Sequence, residues 1–326
     1  MARVLVTGAN GFVGRMVCAT LPPAGHEVRA AVRSPKRLDG ASAGEVGEVV
    51  AVGSIGPETD WRAALSGVDV VVHLAGRVHV LKETLKDPRA EFHRVNVLGT
   101  ERLARAAAEM GVKRMVHVSS IGVNGISTHN RAFTEADEPV PHNHYAISKW
   151  EAEKALRRVA DETGLDVVIL RPPLVYGPGV KANFLRLMHL VNRRLPLPLG
   201  SVDNRRSLIY VGNLADAVAA CISDPRAAGE LFLLSDGDDV STPGLLKFIA
   251  SALHKPAVLL PFPPGLLRAA GRLTGQPSMV EPLLDSLTLD GGRIHTTLGW
   301  RPPYTMTDGL RETARWYERT GNGHAP

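Results

Sequence analysis

The stretch Arg3-Val4-Leu5-Val6-Thr7-Gly8-Ala9-Asn10-Gly11-Phe12-Val13-Gly14 decides the fold of this 326-residue chain. Residues 3–7 have the composition of a buried strand, and the next residues are typical of a turn that opens a helix. Glycines at 8, 11 and 14 allow a sharp turn, a close approach to a pyrophosphate and tight packing of helix on strand. The helix N-terminus offers unpaired N–H groups to phosphate oxygens. The stretch therefore predicts a dinucleotide-binding turn.

Strands and helices alternate after this turn as far as about residue 171, which predicts a doubly wound parallel sheet of the Rossmann type, an α/β fold. Beyond Pro172-Pro173 the elements shorten and proline becomes dense. We expect residues 1–175 to form the dinucleotide-binding domain, with a return strand near 231–236. Residues 176–326 are expected to form mainly a smaller α/β substrate domain.

The end of the second predicted strand bears on the choice of dinucleotide. Arg33 lies 19 positions past Gly14, where an acidic residue would bind a ribose 2′-hydroxyl and an arginine accommodates a 2′-phosphate. No acidic residue stands there, and Lys36 and Arg37 follow closely. This pattern favours NADP(H), with NAD(H) as the other possibility. The competing interpretation is that Arg33 simply points into solvent.

Composition restricts the class of protein. The chain is 44% apolar and 22% charged, as in ordinary globular proteins. A first strand that begins at Arg3 predicts no signal peptide, and no apolar run is long enough for membrane insertion. Two cysteines, Cys18 and Cys221, predict neither a disulfide framework nor a metal site and are typical of a reducing cytoplasm.

The net charge of +5 could serve an anionic ligand, although a dispersed, solvated charge is the favoured interpretation, and no nucleic-acid partner is expected. The segment from Val258 to Leu273 is apolar, with arginines at 268 and 272. It could lie on a membrane surface. A helix of the substrate domain is the favoured interpretation.

Polar residues follow or interrupt several predicted elements of the first domain. Residues 87–110 are expected to form one long helix closed by Gly111, with Asn96 inside it. Ser119 and Ser120 end the fifth strand, at the sheet edge where ligands bind in such folds. Tyr145 and Lys149, four residues apart at the start of a helix, share one helix face.

Together these motifs resemble the extended short-chain dehydrogenases/reductases, the group that includes nucleotide-sugar epimerases, dehydratases and reductases. The resemblance runs along the chain, through His73-Leu74-Ala75-Gly76, Asn96-Val97-Leu98-Gly99-Thr100, Ser119-Ser120, Tyr145 with Lys149, residues 171–178, 206–214 and 298–300.

The resemblance implies a catalytic set of Ser120, Tyr145 and Lys149. It implies substrate contacts from Ser120, Asn183 and Arg206, with Arg206 on the diphosphate of a sugar nucleotide, and a homodimer through the helices at 87–110 and 145–163. The cofactor-binding residues implied by the turn, the strand ends and the resemblance are Gly8, Asn10, Gly11, Phe12, Val13, Gly14, Arg33, Ser54, Ile55, Leu74, Ala75, Gly76, Asn96, Ser119, Tyr145, Lys149 and Pro172.

The sequence departs from the family pattern in places that bear on the reaction. Asn124 and Leu174 stand where the family usually has tyrosine and asparagine, and Ile121-Gly122 replace the Asp-Glu of dehydratases, which argues against dehydration. Arg33 favours NADPH-dependent reduction of a 4-keto sugar nucleotide in surface-polysaccharide synthesis, whereas Leu174 favours a non-sugar substrate and Arg206 opposes one. The alternatives are a UDP-sugar 4-epimerase with tightly bound NAD and an NADPH-dependent reductase of non-sugar ketones.

Either sugar reaction needs a proton donor or acceptor at the carbon that exchanges hydride. A tyrosine has a pKa of about 10, so work near neutral pH requires about 3 units of phenolate stabilisation. We expect the ammonium of Lys149, one helical turn away, to lower the pKa of Tyr145.

Overall fold

The computed structural model describes residues 1–34, 47–78 and 87–321. Its main sheet has seven strands, all parallel, which confirms the predicted doubly wound α/β fold. The nine described strands are β1 (Arg3–Thr7), β2 (Glu27–Val32), β3 (Glu48–Ala51), β4 (Val70–His73), β5 (Arg114–Val118), β6 (Asp166–Arg171), β7 (Leu174–Tyr176), β8 (Leu208–Tyr210) and β9 (Leu231–Leu233).

The strand order is β3-β2-β1-β4-β5-β6-β9. Strands β2 and β3 are added on one side of β1, and β4 and the later strands of this sheet are added on its other side, so the order of addition reverses between β1 and β4. Ligands of such sheets bind outside the carboxyl ends of the strands at the point of reversal. Here that point is formed by Thr7 and His73, which are register partners at the ends of β1 and β4. The glycine turn follows Thr7 directly, so the topology places it in the ligand crevice.

Helices cover both faces of the sheet, and two apolar clusters lie between helices and strands. The described helices are α1 (Phe12–Thr20), α2 (Arg62–Leu65), α3 (Pro88–Phe92), α4 (Gly99–Glu109), α5 (His144–Thr163), α6 (Ala182–Asn192), α7 (Val211–Ser223), α8 (Thr242–Ala252), α9 (Pro264–Leu273), α10 (Pro277–Leu284), α11 (Gly292–Leu298) and α12 (Met306–Arg319). In the described part of the chain, no helix is both long and apolar enough to cross a bilayer.

The long helix expected over residues 87–110 contains a π-helical segment, His93–Leu98, between α3 and α4. It ends as predicted, with Gly111 in the left-handed region at φ 77°. The wide turn contains Asn96, whose side chain bonds to the backbone of Arg77. π-Segments are often found at functional sites.

A further apolar cluster lies mainly in residues 176–317, around α6, α8 and α12. The parallel pair β7–β8 contributes Tyr176, Leu208 and Tyr210 to it. Strand β9 lies outside this cluster, because it pairs with β6 and extends the main sheet.

Candidate active site

The glycine turn is shaped by backbone contacts. Gly8 adopts φ 68°, a conformation that L side chains rarely adopt, and a Cβ there would lie 2.9 Å from the backbone nitrogen of Ala75. A Cβ on Gly14 would lie 2.1 Å from the backbone oxygen of Gly8. Gly11 is exposed and stands at the N-cap of α1. The turn is thus packed from behind and open at the helix N-terminus, a geometry that fits a dinucleotide pyrophosphate.

Other predicted cofactor residues surround the same crevice. Ser54 and Ile55 follow β3, and the Ile55 side chain lies against Gly99, where an added Cβ would approach its Cγ2 to 2.7 Å. After β4, a Cβ on Gly76 would lie 3.0 Å from Asn96 Oδ1 and 3.9 Å from Lys149 Nζ. The structure therefore brings Gly76, Asn96 and Lys149 together from three separate segments.

Asn96 has a structural task in this crevice. Its Oδ1 accepts from the Arg77 backbone N–H at 2.7 Å, and its Nδ2 donates to the Arg77 backbone oxygen and to Ser148 Oγ. Asn96 is buried, so these bonds fix the backbone that follows β4. They tie that segment to α5 through Ser148, which neighbours Lys149.

Arg33 follows β2 and is exposed to solvent. Lys36 and Arg37, the other residues on which the NADP(H) expectation depends, lie outside the described residues. The local geometry is therefore compatible with the competing interpretation of Arg33 as a solvated side chain.

Tyr145 lies in the first turn of α5, which Asn143 caps by accepting from the Ala146 N–H. The ring of Phe92 meets the tyrosine ring edge-on, with 6.3 Å between centroids. Burial raises the pKa of Tyr145 to about 12, while a hydrogen bond from Ser120 acts in the lowering direction. The expected lowering of the Tyr145 pKa is therefore wrong for this arrangement, because burial outweighs the Ser120 hydrogen bond and the Lys149 Nζ bonds instead to the Val118 backbone oxygen.

The Lys149 side chain is directed to the end of β5. Its Nζ donates to the backbone oxygen of Val118 at 2.8 Å. Burial lowers the pKa of Lys149 to about 8, against the opposing effect of the Glu153 carboxylate. Ser120 follows β5 and uses its Oγ to accept from the Gly122 N–H. The three catalytic candidates thus meet where β5 ends and α5 begins.

Behind Lys149 lies a buried polar cluster that the sequence reasoning missed. Glu153 and Arg171 form a fully buried ion pair through two hydrogen bonds, of 2.9 and 2.5 Å. Ser119, a predicted cofactor residue, donates to Glu153 Oε1 at 2.5 Å. Asn124 accepts from Arg171 at 2.8 Å and donates to the Thr134 backbone oxygen. The asparagine that departs from the family pattern thus completes the surroundings of Arg171.

One sequence signal could have pointed to this cluster. Tyr145, Lys149 and Glu153 recur every four residues along α5 and therefore share one face. A carboxylate on a face that packs against the sheet must be paired, because an unpaired buried charge is costly. The identity of its partner, 18 residues away, could not be predicted from that spacing.

Two buried histidines lie beneath the same site. His73 bonds through both ring nitrogens, to Thr7 Oγ1 at 2.7 Å and to Thr100 Oγ1 at 2.9 Å. It stacks on His117 with 5.4 Å between centroids. Burial lowers the pKa of His73 to about 3 and that of His117 well below its usual value, and the charge of Lys149 adds to both effects. His73 is therefore a neutral, hydrogen-bonded residue of the core.

The predicted substrate residues other than Ser120 stand on segments that follow β6. Arg206 is partly exposed, and one of its guanidinium nitrogens donates to the backbone oxygen of Asp285 at 3.0 Å. Asn183 is exposed in the first turn of α6. Leu174 is exposed at the start of β7, after Pro172, whose backbone oxygen accepts from the Ile121 N–H. The Pro172 contact links this region to the residues that follow Ser120.

Comparisons with known proteins show the family of this chain. The model of the "NAD dependent epimerase/dehydratase family" matches residues 4–234. A UDP-glucose 4-epimerase of Vibrio cholerae is 40% identical over 98% of this chain and 96% of that protein. An N-acetyl-alpha-D-glucosaminyl-diphospho-ditrans,octacis-undecaprenol 4-epimerase of Escherichia coli O157:H7 is 28% identical, over 96% and 94% of the two chains.

A solved structure shows the same fold. The UDP-glucuronic acid 4-epimerase from Bacillus cereus, in complex with NAD, superposes with a TM-score of 0.77 at 21% identity, covering 99% of each chain. The family match over residues 4–234 and the 40% identity along nearly the whole chain show that the chain belongs to the NAD dependent epimerase/dehydratase family of extended short-chain dehydrogenase/reductase enzymes.

Proposed function

We propose that this enzyme is a 4-epimerase of a UDP-linked hexose that keeps NAD(H) bound throughout its cycle. The observation that carries the proposal is the 40% identity with a UDP-glucose 4-epimerase over nearly the whole of both chains. The 4-keto reductase favoured by the sequence rested chiefly on Arg33, and the relatives give it no comparable support. The relatives whose names include a dinucleotide name NAD.

The residues fit the proton half of the reaction. Ser120 and Tyr145 present two hydroxyls that can hold the C4 oxygen of a sugar between them. To take the proton from the C4 hydroxyl and return it later, Tyr145 must be ionised. Its raised pKa in this structure opposes ionisation, and the positive charges of the Lys149 ammonium and of a bound nicotinamide would favour it. A bound nicotinamide dinucleotide supplies the hydride acceptor and donor. Lys149, beside Gly76 and Asn96, is positioned to bind the nicotinamide ribose, as its relatives' pattern implies.

Epimerisation makes a demand that reduction does not. The 4-keto sugar ring must rotate within the site so that hydride can return to its other face. The substrate therefore has to be held by a part of the molecule other than the reacting ring. Arg206 suits this role, because arginine has five N–H donors in a fork that matches phosphate oxygens, and the Asp285 contact uses one guanidinium nitrogen. Asn183 is proposed to contact the nucleotide. Dimerisation through the α3–α4 and α5 helices and the domain division near residue 175 remain part of the proposal.

The test is conversion of UDP-glucose without added cofactor. We expect UDP-galactose to accumulate to a constant ratio, and NAD to be released when the purified protein is denatured. Tyr145→Phe should lower kcat by about 10²–10⁴-fold, as expected for loss of a general acid–base. Tyr304→Phe is the matched control, because this tyrosine is half-exposed and remote in sequence from the catalytic set.

Two results would overturn the proposal. One is stoichiometric consumption of NADPH with a keto-sugar nucleotide and no epimerisation. The other is an equal loss of activity in the Tyr145 and Tyr304 variants, which would remove Tyr145 from the chemistry.

A further inference from the structure

Helix α9 is amphipathic in an unusual sense, since its apolar stripe faces outward. Leu266, Ala269, Ala270 and Leu273 recur at helical spacing and are all exposed, Leu266 to 57% and Leu273 to 89%. The opposite side packs inward through Leu267 and Gly271, where an added Cβ would lie 2.9 Å from Val280. Only a small part of the helix surface is therefore buried against the protein. Leu266 and Leu273 remain in contact with water, which is unfavourable in free energy for an isolated molecule.

The segment before α9 extends the same character. Val258, Leu260 and Phe262 alternate along an extended segment and are all exposed, while Leu259 between them is partly buried. Two backbone hydrogen bonds fix the segment to Leu197, one from Leu197 to the Val258 oxygen and one from Leu260 to the Leu197 oxygen. We call the exposed side chains of residues 258, 260, 262, 266 and 273 the apolar face.

Exposed basic residues border the apolar face, and the acidic residues on the side of α10 are Glu281 and Asp285, of which Asp285 pairs with Arg268. Residues 167–202 and 240–280 contain no aspartate or glutamate but carry five and four basic residues respectively. Arg193 and Arg194 are exposed just before the Leu197 contact, and Arg272 is exposed on α9 beside the leucines. Apolar side chains bordered by exposed arginines are the signature of an interfacial helix at an anionic bilayer.

We propose that the apolar face docks the protein peripherally on an anionic membrane surface. Leu266, Leu273 and Phe262 enter the headgroup–acyl boundary, and Arg193, Arg194 and Arg272 contact lipid phosphates. The docked lobe also contains Arg206, because Asp285 joins Arg206 through its backbone oxygen and Arg268 of α9 through its carboxylate. Docking thus brings the proposed diphosphate-binding arginine close to the membrane surface.

The experiment is co-sedimentation of the full-length protein with vesicles of phosphatidylcholine alone or with 30% phosphatidylglycerol added. We expect binding to the anionic vesicles that weakens as salt is raised, and little binding to the neutral ones. Leu266→Glu/Leu273→Glu should reduce the partition coefficient at least tenfold. Arg193→Gln/Arg194→Gln should reduce it about 25-fold at low salt, since each basic residue near such a surface contributes about fivefold.

The matched control is Val140→Glu, which places the same charge at a comparably exposed apolar site (54%) outside the apolar face. It should bind as the unaltered protein does. Thermal unfolding of each variant checks that the fold is intact. No binding to anionic vesicles, or equal binding by all variants, would overturn the proposal. So would a dimer in sedimentation velocity that dissociates in the leucine variant, because the apolar face would then cover a second copy of this chain.

Discussion

The turn between β1 and α1 and the inner face of α5 both serve the proposed active site, but different forces determine them. The turn depends on backbone atoms in contact with backbone atoms, as at Gly14 and Gly8. The α5 face depends on side chains from distant segments, with Glu153 meeting Arg171 and Lys149 meeting the end of β5. In the glycine turn the limit is steric, because an added Cβ would overlap backbone atoms. On the inner face of α5 the limit is electrostatic, and substitutions that keep the buried polar groups paired are tolerated.

The largest effect should come from filling the space in the turn. Gly14→Ala places a Cβ 2.1 Å from the Gly8 oxygen and 2.8 Å from the Ala9 Cα, and backbone cannot move aside cheaply. We expect a loss of at least about 4 kcal/mol of unfolding free energy, together with loss of dinucleotide binding. Urea denaturation measures the first and fluorescence titration the second.

Gly265→Ala is the matched control for that substitution. Gly265 also lies in the first turns of a helix, and nothing lies within 4 Å of an added Cβ there. Alanine should be neutral or slightly stabilising at that position. A similar loss in both variants would show that the turn has no special steric demand.

The next effect should come from breaking the buried pair on α5. Glu153→Gln leaves Arg171 with an uncharged acceptor in a fully buried position. Loss of one partner of a buried pair costs about 3–5 kcal/mol, and we expect about 3 kcal/mol because glutamine still accepts a hydrogen bond. Urea denaturation of the variant measures it.

An exposed pair supplies the comparison for Glu153. Glu312→Gln removes the charge from a solvent-exposed ion pair with Arg315, where screening leaves less than about 1 kcal/mol. If the two variants lose equal stability, burial does not govern the pair and the contrast between the two regions fails.

These two regions also differ in how far the sequence could predict them. The glycine turn could be predicted because its determinants lie within seven consecutive residues, and the Tyr145–Lys149 pair because helical spacing puts both on one face. The Glu153–Arg171–Asn124 cluster could not, since its partners meet only after β5, β6 and α5 have packed. For the same reason the π-segment around Asn96 escaped prediction. The predicted lowering of the Tyr145 pKa was wrong because burial, which the helical spacing does not reveal, has the largest effect on that pKa.

A smaller effect should appear in the pH dependence of stability. Burial lowers the pKa of Lys149 to about 8, so between pH 8 and 10 the unfolded chain binds more protons at this residue than the folded one. Stability from this group therefore rises with pH across that window, by about 2 kcal/mol in total. Cys221 opposes the rise above pH 9, because burial raises its pKa to about 12.

The contribution of Lys149 can be separated from that of Cys221 by comparison with a variant that lacks the lysine, because Cys221 affects both proteins equally. The unfolding free energy of the unaltered protein minus that of Lys149→Met, measured at pH 7, 8, 9 and 10, should rise by about 2 kcal/mol between pH 8 and 10, whichever protein is the more stable at pH 7. A difference that stays constant across the series would mean that Lys149 titrates in the folded protein as it does in water.

The smallest effect should come from Arg33, at the outer rim of the dinucleotide crevice. With NAD as cofactor there is no 2′-phosphate to bind, so an exposed Arg33 has little to contribute. We expect Arg33→Gln to change the NAD dissociation constant less than about twofold, well under 1 kcal/mol. Titration of both proteins, freed of cofactor, with NAD and NADP measures the preference. If the unaltered protein instead binds NADP more tightly and the variant loses that preference tenfold or more, Arg33 holds a 2′-phosphate. A surface charge that selects the cofactor would then stand beside the steric limit in the glycine turn and the buried charges on α5 as a third determinant of the site. The reductase would also replace the epimerase as the better-supported function.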